Sequence, residues 1–373
     1  MAKMIIGADF VPLNRHEKSF ISGNIEEVLD NRLIQVINDA DIKIFNLEAP
    51  ITIAEDKLPK SGPNLKVNPQ CINGLKKLNP TVISLANNHI MDYGIQGLSD
   101  TISILQKNKI HYVGAGKNFE FASKPFIYRI KDINVGIYSC SEHEFSCADA
   151  NKPGAAPFEP LESFDIIHEL KNNVDFIIVL YHGGKEHYKY PTVSIQKRCR
   201  KFIEKGADMV ICQHSHCIGS YEKYRNGDII YGQGNFMFDL SDNINWQTGL
   251  LVTVETENRN IEFIPFVNKG KIIKMAEGKE KEKILNEFLL RSDNITNIGF
   301  IRQEQEKEAL KSGPYYMRIF TGSNLFLRIL GKILKNHLWN RLYTKENNRS
   351  LVNIIRCETH REMILTYLEK MLG

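Results

Sequence analysis

Across the first two-thirds of the chain, short apolar runs alternate with stretches in which apolar residues recur every three or four positions. That pattern predicts strands alternating with amphipathic helices. The runs at 4–9, 41–47, 81–85, 134–139, 175–181 and 208–212 predict strands, and helical spacing predicts helices over 25–38, 96–107, 161–172 and 194–205. Phe176-Ile177-Ile178-Val179-Leu180 is apolar throughout, as a strand covered on both faces must be. From about residue 220 strand follows strand, at 220–224, 228–231, 249–255 and 260–267, with Asn226-Gly227 marking a tight hairpin between the first two. The sum predicts an α/β sandwich: a mixed sheet flanked by helices, finishing in antiparallel strands. After residue 268 the chain turns charged and helical, with helices predicted at 271–291, 300–311, 323–343 and 349–372. The expected division is a main domain at 1–268 and a helical C-terminal region at 269–373, long enough to form a small domain.

Composition narrows the class. Of 373 residues, 42% are hydrophobic and 25% charged, as in ordinary globular proteins, and a net charge of +4 is too small to argue for nucleic acid. No nucleic-acid partner is expected. The start of the chain does not read as a signal peptide, and no uncharged apolar run reaches the roughly 20 residues that a membrane span needs. The 7 cysteines are scattered, with no C-x-x-C pair, which argues against a disulfide framework or a zinc knuckle. A cytoplasmic location is the expectation.

Candidate chemistry gathers where predicted strands end, the position at which sheets of this kind present ligand-binding groups. Asp9 follows the first strand and Glu48 the second; Asn87, Asn88 and His89 follow the third. His182 opens His182-Gly183-Gly184, and His214 and His216 lie in Gln213-His214-Ser215-His216. Taken singly, an Asp at a strand end is a cap and a His a structural residue. Their recurrence in register with successive strands is what capping alone does not produce. Imidazole and carboxylate together suit Zn, Mn or Fe, and a carboxylate can bridge two cations.

With these residues in view, the chain resembles a known family. Phe45-Asn46-Leu47-Glu48-Ala49-Pro50-Ile51-Thr52, Ser84-Leu85-Ala86-Asn87-Asn88-His89-Ile90-Met91-Asp92-Tyr93-Gly94 and Val113-Gly114-Ala115-Gly116 look like blocks of the CapA, or poly-γ-glutamate synthesis, family. So do His182-Gly183-Gly184-Lys185-Glu186, Gln213-His214-Ser215-His216 and Tyr231-Gly232-Gln233-Gly234-Asn235-Phe236, all in the family's order within 4–268. The resemblance extends to the calcineurin-like metallophosphoesterases, and it implies a four-layer α/β/β/α sandwich with two divalent ions at the strand ends. It implies Asp9 and His216 as ligands of a first ion, Glu48 as the bridge, and Asn88, His182 and His214 as ligands of a second. His89 would act on the substrate. Asn87, Glu186 and Asn235 are candidate substrate-binding residues, Asn235 being equally a turn residue or a contact to the metal ligands. The superfamily's D-x-H is absent, because Asp9 is followed by Phe10 and Val11; Glu186 or His187 is the candidate substitute.

What the resemblance implies chemically is phosphoester hydrolysis by hydroxide generated between the ions, with His89 as general acid, in capsule or poly-γ-glutamate biosynthesis. The substrate would be an anionic small molecule or polymer and the partners capsule-synthesis proteins. Two other readings compete: a non-catalytic subunit that binds polymer or assembles the synthesis machinery, and a metal-dependent γ-glutamyl amide hydrolase. The segment 323–343 adds a peripheral membrane contact as an expectation. Leu325, Phe326, Ile329, Leu330, Ile333 and Leu334 fall on one helical face, Arg328, Lys332, Lys335 and Arg341 are its cations, and the segment contains no acid. A packed helix with a solvated basic face is the alternative.

Overall fold

Alternation within the first strand sets the layering. In β1 (Lys3–Val11) Met4 and Ile6 enter one apolar core while Ile5 enters another on the opposite face. The same division runs through β2 (Ile42–Leu47), with Ile42 and Ile44 on one side and Phe45 and Leu47 on the other. The computed structural model describes residues 2–238, 243–268 and 270–320, with 329, 344–356, 360, 363, 364, 367 and 368.

β1, β2, β3 (Val82–Ser84) and β4 (His111–Val113) pair in parallel in that order. Beyond β4, β5 (Ala115–Gly116) pairs only with β8 (Gly154–Ala155). A second sheet has β6 (Phe126–Ile130), β7 (Ile133–Ser141), β9 (Phe176–His182), β10 (Met209–Gln213), β11 (Tyr221–Tyr224) and β12 (Gly227–Ile230), in the order β11-β12-β10-β9-β7-β6. The chain then returns to the first sheet. β13 (Asn235–Phe238) lies parallel to β1, while β14 (Thr248–Glu255), β15 (Ile261–Val267) and β16 (Lys274–Met275) extend the other edge antiparallel.

Three cores separate four layers. Between the sheets Met4, Ile6, Ile44 and Val82 meet Val135, Ile178, Leu180 and Met209. Outside the first sheet Ile5, Phe45 and Ile83 pack on α2 (Asn31–Asn38), α3 (Ile72–Leu78) and α4 (Gly94–Lys107) through Leu33, Leu75 and Leu98. Outside the second, Val179, Tyr181 and Val210 pack on α6 (Pro160–Leu170) and α7 (Val193–Lys205) through Ile167, Cys199 and Phe202. The short α1 (Glu17–Ser22) and α5 (Phe119–Ala122) complete the helices of this region. The molecule is thus an α/β/β/α sandwich, as the resemblance implies. The residue pattern alone suggested one mixed sheet, because a strand covered by a sheet on one face and helices on the other is as uniformly apolar as one between two helical layers.

Two predicted helices are shorter than their periodicity suggests. Over 25–38 only Asn31–Asn38 forms an α-helix, preceded by a turn of 3₁₀ helix at Ile25–Glu27. Asp30 breaks the run: its Oδ1 caps α2 by accepting from the Leu33 amide, and its Oδ2 accepts from the Met275 amide. Over 271–291 the helix, α8 (Gly278–Asp293), starts only at Gly278, because Lys274–Met275 pairs with β15. The predicted hairpin is present, but its turn is Arg225-Asn226, one residue earlier than expected, with Arg225 at φ 52° and Gly227 already paired with Tyr224.

The chain forms two compact units, Met1–Gln305 and Glu306–Gly373. The first runs past the compositional break at 268 because α8 (Gly278–Asp293) buries Ile284 and Phe288 against Leu250 and Val267. Next comes α9 (Ile298–Phe320), and the second unit includes helix Lys345–Arg356. The segment 323–343 lies outside the described residues apart from Ile329, and much of 349–372 does too. Among the described residues no helix is long and apolar enough to cross a membrane.

Candidate metal centre

The strand ends of the two sheets meet at one edge. Asp9 sits where the pairing of β1 slips register, between Ile6 and Asp9 against β2 and between Asp9 and Phe10 against β13. Such an irregularity re-aims the side chain it carries. Oδ1 accepts from the Asn46 side-chain amide at 2.8 Å and Oδ2 from the backbone amide of His214 at 3.1 Å. Glu48 lies just beyond β2 and is fully buried, and among the described residues neither of its carboxylate oxygens has a hydrogen-bond partner. Its Oε1 is 3.3 Å from His182 Nε2 and 4.0 Å from His216 Nε2.

His182 ends β9, and its Nε2 is a point of convergence. Asn88 Oδ1 lies 3.0 Å away, His214 Nδ1 3.2 Å and Glu48 Oε1 3.3 Å. Two neighbours hold the third imidazole: Nδ1 of His216 is 2.8 Å from Asn235 Oδ1 and 3.5 Å from Asp9 Oδ2. His214 and His216 stand at φ 92° and 52°, in the left-handed region that non-glycine residues occupy at a cost of about 1–3 kcal/mol each. The strain turns two histidines on one short loop toward the same cluster.

Electrostatics follow from burial and crowding. Burial, reinforced by Asp9, holds the Glu48 carboxyl well above the usual carboxylate range. For Asp9 burial acts upward too, but the hydrogen bond with His216 and the charge of His182 outweigh it and lower the pKa. Burial pushes His182 down to about 4 against the pull of Asp9, and it lowers His214, with His182 and His216 adding to the effect. His216 goes the other way: burial opposes its charge, but Glu48 and Asp9 raise it to about 9.

The donor set fits divalent cations. Glu48, His182 and His214 form one group and Asp9, Glu48 and His216 another, the ligand atoms of each lying within 4.8 Å of one another. Glu48 belongs to both. A buried carboxylate with no donor is costly unless a cation compensates it, and neutral imidazole beside carboxylate is a donor set for Zn, Mn or Fe.

Beside this cluster stands His89, whose Nδ1 is 2.7 Å from Asp92 Oδ2. Burial lowers the pKa of His89, Asp92 opposing the shift. Asp92 is itself fully buried and pairs with Lys60. Asn87 braces the loop from within: its amide donates to the Leu47 carbonyl and to Asn46 Oδ1, and its Oδ1 accepts from the His89 backbone amide. Glu186 and His187 are exposed and, among the described residues, enter neither ligand group. His187 Nε2 accepts from the Trp246 indole at 2.7 Å.

Four residues were missed in the sequence. Asn46 links Asp9 to His182, its side-chain nitrogen lying 3.3 Å from Nδ1 of the latter. It was detectable as the one amide inside an apolar strand. Asp92 was detectable at three residues after His89 in one block. Glu144, 3.7 Å from His214 Nε2, and Lys60 arrive from irregular segments and carry no pattern.

A four-layer α/β/β/α sandwich with a buried carboxylate–imidazole cluster at its strand ends defines a metallophosphoesterase-like fold. Residues 13–240 match the family described as bacterial capsule synthesis protein PGA_cap, and the chain belongs to that family. It is 32% identical over 209 residues to the PGA biosynthesis protein CapA of Bacillus subtilis, covering 55% of each chain. To the capsule biosynthesis protein CapA of Bacillus anthracis it is 27% identical over 238 residues, covering 61% of this chain and 58% of the relative. The chain therefore spans little more than half the length of the curated relatives it matches. Among solved structures it is similar to a phosphatase from Mycoplasma pneumoniae, with 16% identity, a TM-score of 0.44 and coverage of 75% of this chain and 96% of that one. A putative 5'-nucleotidase from Staphylococcus aureus shows 15% identity, a TM-score of 0.44 and coverage of 77% and 57%.

Proposed function

We propose that the chain is a metal-dependent hydrolase of phosphoesters that works in capsule or poly-γ-glutamate biosynthesis, on an anionic small molecule or polymer and alongside capsule-synthesis proteins. The observation that carries this reading is Glu48, buried with no hydrogen-bond donor among the described residues and shared by two groups of metal-ligating side chains. Asp9, Glu48 and His216 would hold one divalent ion, and Glu48, Asn88, His182 and His214 a second. When bound, such a pair supplies charge neutralisation at the phosphoryl oxygens and activation of water for in-line attack.

The chain's own residues do the rest. His89 has Nδ1 committed to Asp92, which leaves Nε2 to pass a proton to the leaving oxygen. Asn235 fixes the ring of His216, and Trp246 and Phe238 pack on that ring at centroid distances of 4.6 and 5.3 Å, excluding water from its face. Every residue given a role lies within the proposed catalytic region, 1–268.

The test is turnover by the purified chain, supplied with Mn²⁺ or Zn²⁺, on a panel of phosphomonoesters, phosphodiesters and γ-glutamyl peptides. Phosphoester turnover that disappears with chelator and in His214→Ala is the expected result. Turnover of γ-glutamyl peptides alone would move the reaction to amide hydrolysis. Ion binding without turnover on any of them would leave a binding subunit.

A further inference from the structure

Between Thr52 and Lys66 the chain has no regular secondary structure and is largely exposed, Ile53 being 78% accessible. Lys60 departs from that pattern although it carries a charge. The side chain of Lys60 is 3% exposed and runs inward to Asp92, which is fully buried. A lysine almost never leaves solvent unless it is paired, so its place there needs a reason.

The hydrogen-bond inventory of Asp92 supplies one. Oδ2 accepts from the Leu65 amide at 2.6 Å and faces His89 Nδ1 at 2.7 Å. Oδ1 has no hydrogen bond among the described residues, and Lys60 is its ion-pair partner. Nζ of Lys60 is also 3.2 Å from His89 Nδ1, but a 2.7 Å approach of that nitrogen to a carboxylate oxygen requires the proton to lie between those two atoms. The ammonium therefore acts on Asp92, as the ion-pair partner of its Oδ1, and not on the imidazole. The backbone carbonyl of Asp92 accepts from the Leu58 amide at 2.8 Å and from the Asn64 side chain at 3.0 Å. The irregular segment is thus gathered on the one residue that orients His89.

We propose that Lys60 is a positioning residue for His89: it holds the free oxygen of Asp92, fixes the plane of that carboxylate, and through it fixes the imidazole toward the leaving group. This rests on the hydrolase reading above, in which His89 is the proton donor. Without Lys60, Asp92 Oδ1 is left buried and unpaired, and the carboxylate rotates or the segment 52–66 opens to let water in.

The test compares wild type, Lys60→Met and Lys60→Arg as full chains with Mn²⁺. Turnover is measured on a nitrophenyl phosphate, whose leaving group needs little protonation, and on an alkyl phosphate, whose leaving group needs a proton. Lys60→Met is expected to lose about tenfold to a hundredfold in kcat on the alkyl ester and under about threefold on the nitrophenyl ester, with Lys60→Arg recovering part of the loss. Hydrogen exchange of the Leu58 and Leu65 amides, read in metal-free protein, is expected to speed up about tenfold or more in Lys60→Met. Equal losses on the two esters would overturn the proposal, as would unchanged Leu65 exchange. Should wild type hydrolyse neither ester, the hydrolase reading fails, and the exchange measurement alone decides whether Lys60 holds Asp92. Where Lys60→Met does not fold, Lys60→Gln, which keeps a donor and removes the charge, takes its place in both measurements.

Discussion

Glu48 and His182 face each other at 3.3 Å, Oε1 to Nε2, and neither Glu48 oxygen accepts a hydrogen bond from the described residues. A protonated His182 would satisfy the pair, but burial drives its pKa down to about 4, so at neutral pH the imidazole is neutral and offers no charge to balance one on Glu48. The relationship makes sense as two ligand atoms aimed at a common cation. It also makes the metal-free protein carry a local penalty that the ion would relieve.

Replacing that carboxylate by its neutral isostere separates the two effects. A carboxyl group whose folded-state pKa is raised destabilises the fold as pH climbs from its unfolded value, about 4.3, through its folded value. Glu48→Gln is therefore expected to raise the thermal midpoint of metal-free protein at pH 7 and to lose that gain near pH 4. Wild type should gain stability from Mn²⁺ or Zn²⁺, by about 2.7 kcal/mol at a hundredfold excess over the dissociation constant, and Glu48→Gln should gain far less. Calorimetry with and without chelator checks both. An equal metal response in the two proteins would remove Glu48 from the site.

Asn235 and His216 make a second separable prediction. With Nδ1 of His216 engaged by Asn235 Oδ1, Nε2 is the nitrogen turned toward Glu48. Asn235→Ala removes the partner that fixes the ring, and loss of such an orienting contact lowers metal affinity by about 10- to 100-fold. Titration calorimetry should show the weakening in only one of two binding events, because the Glu48, His182 and His214 group does not include His216. Uniform weakening of both events would count against two distinct ion sites.

Asp92→Asn addresses the proton donor. An amide can accept from His89 Nδ1 in only one of its two orientations, and it cannot stabilise the imidazolium. Burial already lowers the pKa of His89 and Asp92 counters it, so the substitution lowers it further and the protonated fraction falls. Turnover on esters with poor leaving groups is expected to drop about 100-fold or more, while metal content stays at the wild-type level. His89→Ala should behave alike. Loss of bound metal in either variant would instead mean that the pair supports the ligand loop.

The legible part of the site is the part that the strands position. Asp9, Glu48, His182 and His214 stand at strand ends because parallel strands point their C-termini to one edge, so successive apolar runs announce them. The family blocks supplied the two-sheet layering, which the apolar runs could not, since a burial pattern does not say what covers each face. Lys60 and Glu144 were illegible for a different reason. They reach the site from irregular segments, where sequence separation and lack of periodicity hide which side chain turns inward. Asn235 was left open between turn residue and site residue, and its contact with His216 appears only when β13 is laid beside β1.

The Val113-Gly114-Ala115-Gly116 block shows how a packing position bears on the same chemistry. Gly114 has φ +87°, and a Cβ there would come within 2.7 Å of Ala86 Cβ, 2.9 Å of the Ala86 nitrogen and 2.9 Å of Ser139 Cβ. Ala86 immediately precedes Asn87-Asn88-His89, and Ser139 lies in β7 of the other sheet. Gly114→Ala therefore incurs the left-handed penalty of about 1–2 kcal/mol and an overpacking cost of about 1–3 kcal/mol. Neither backbone neighbour can yield without moving a site loop or parting the sheets. The expected result is a destabilisation of about 2–5 kcal/mol by denaturant unfolding, with turnover per folded molecule reduced because Asn88 and His89 shift. Gly62→Ala has a similar φ of +87° and nothing within 4 Å, so it isolates the backbone part. If the two variants were equally stable, crowding at Ala86 would not be what confines residue 114 to glycine.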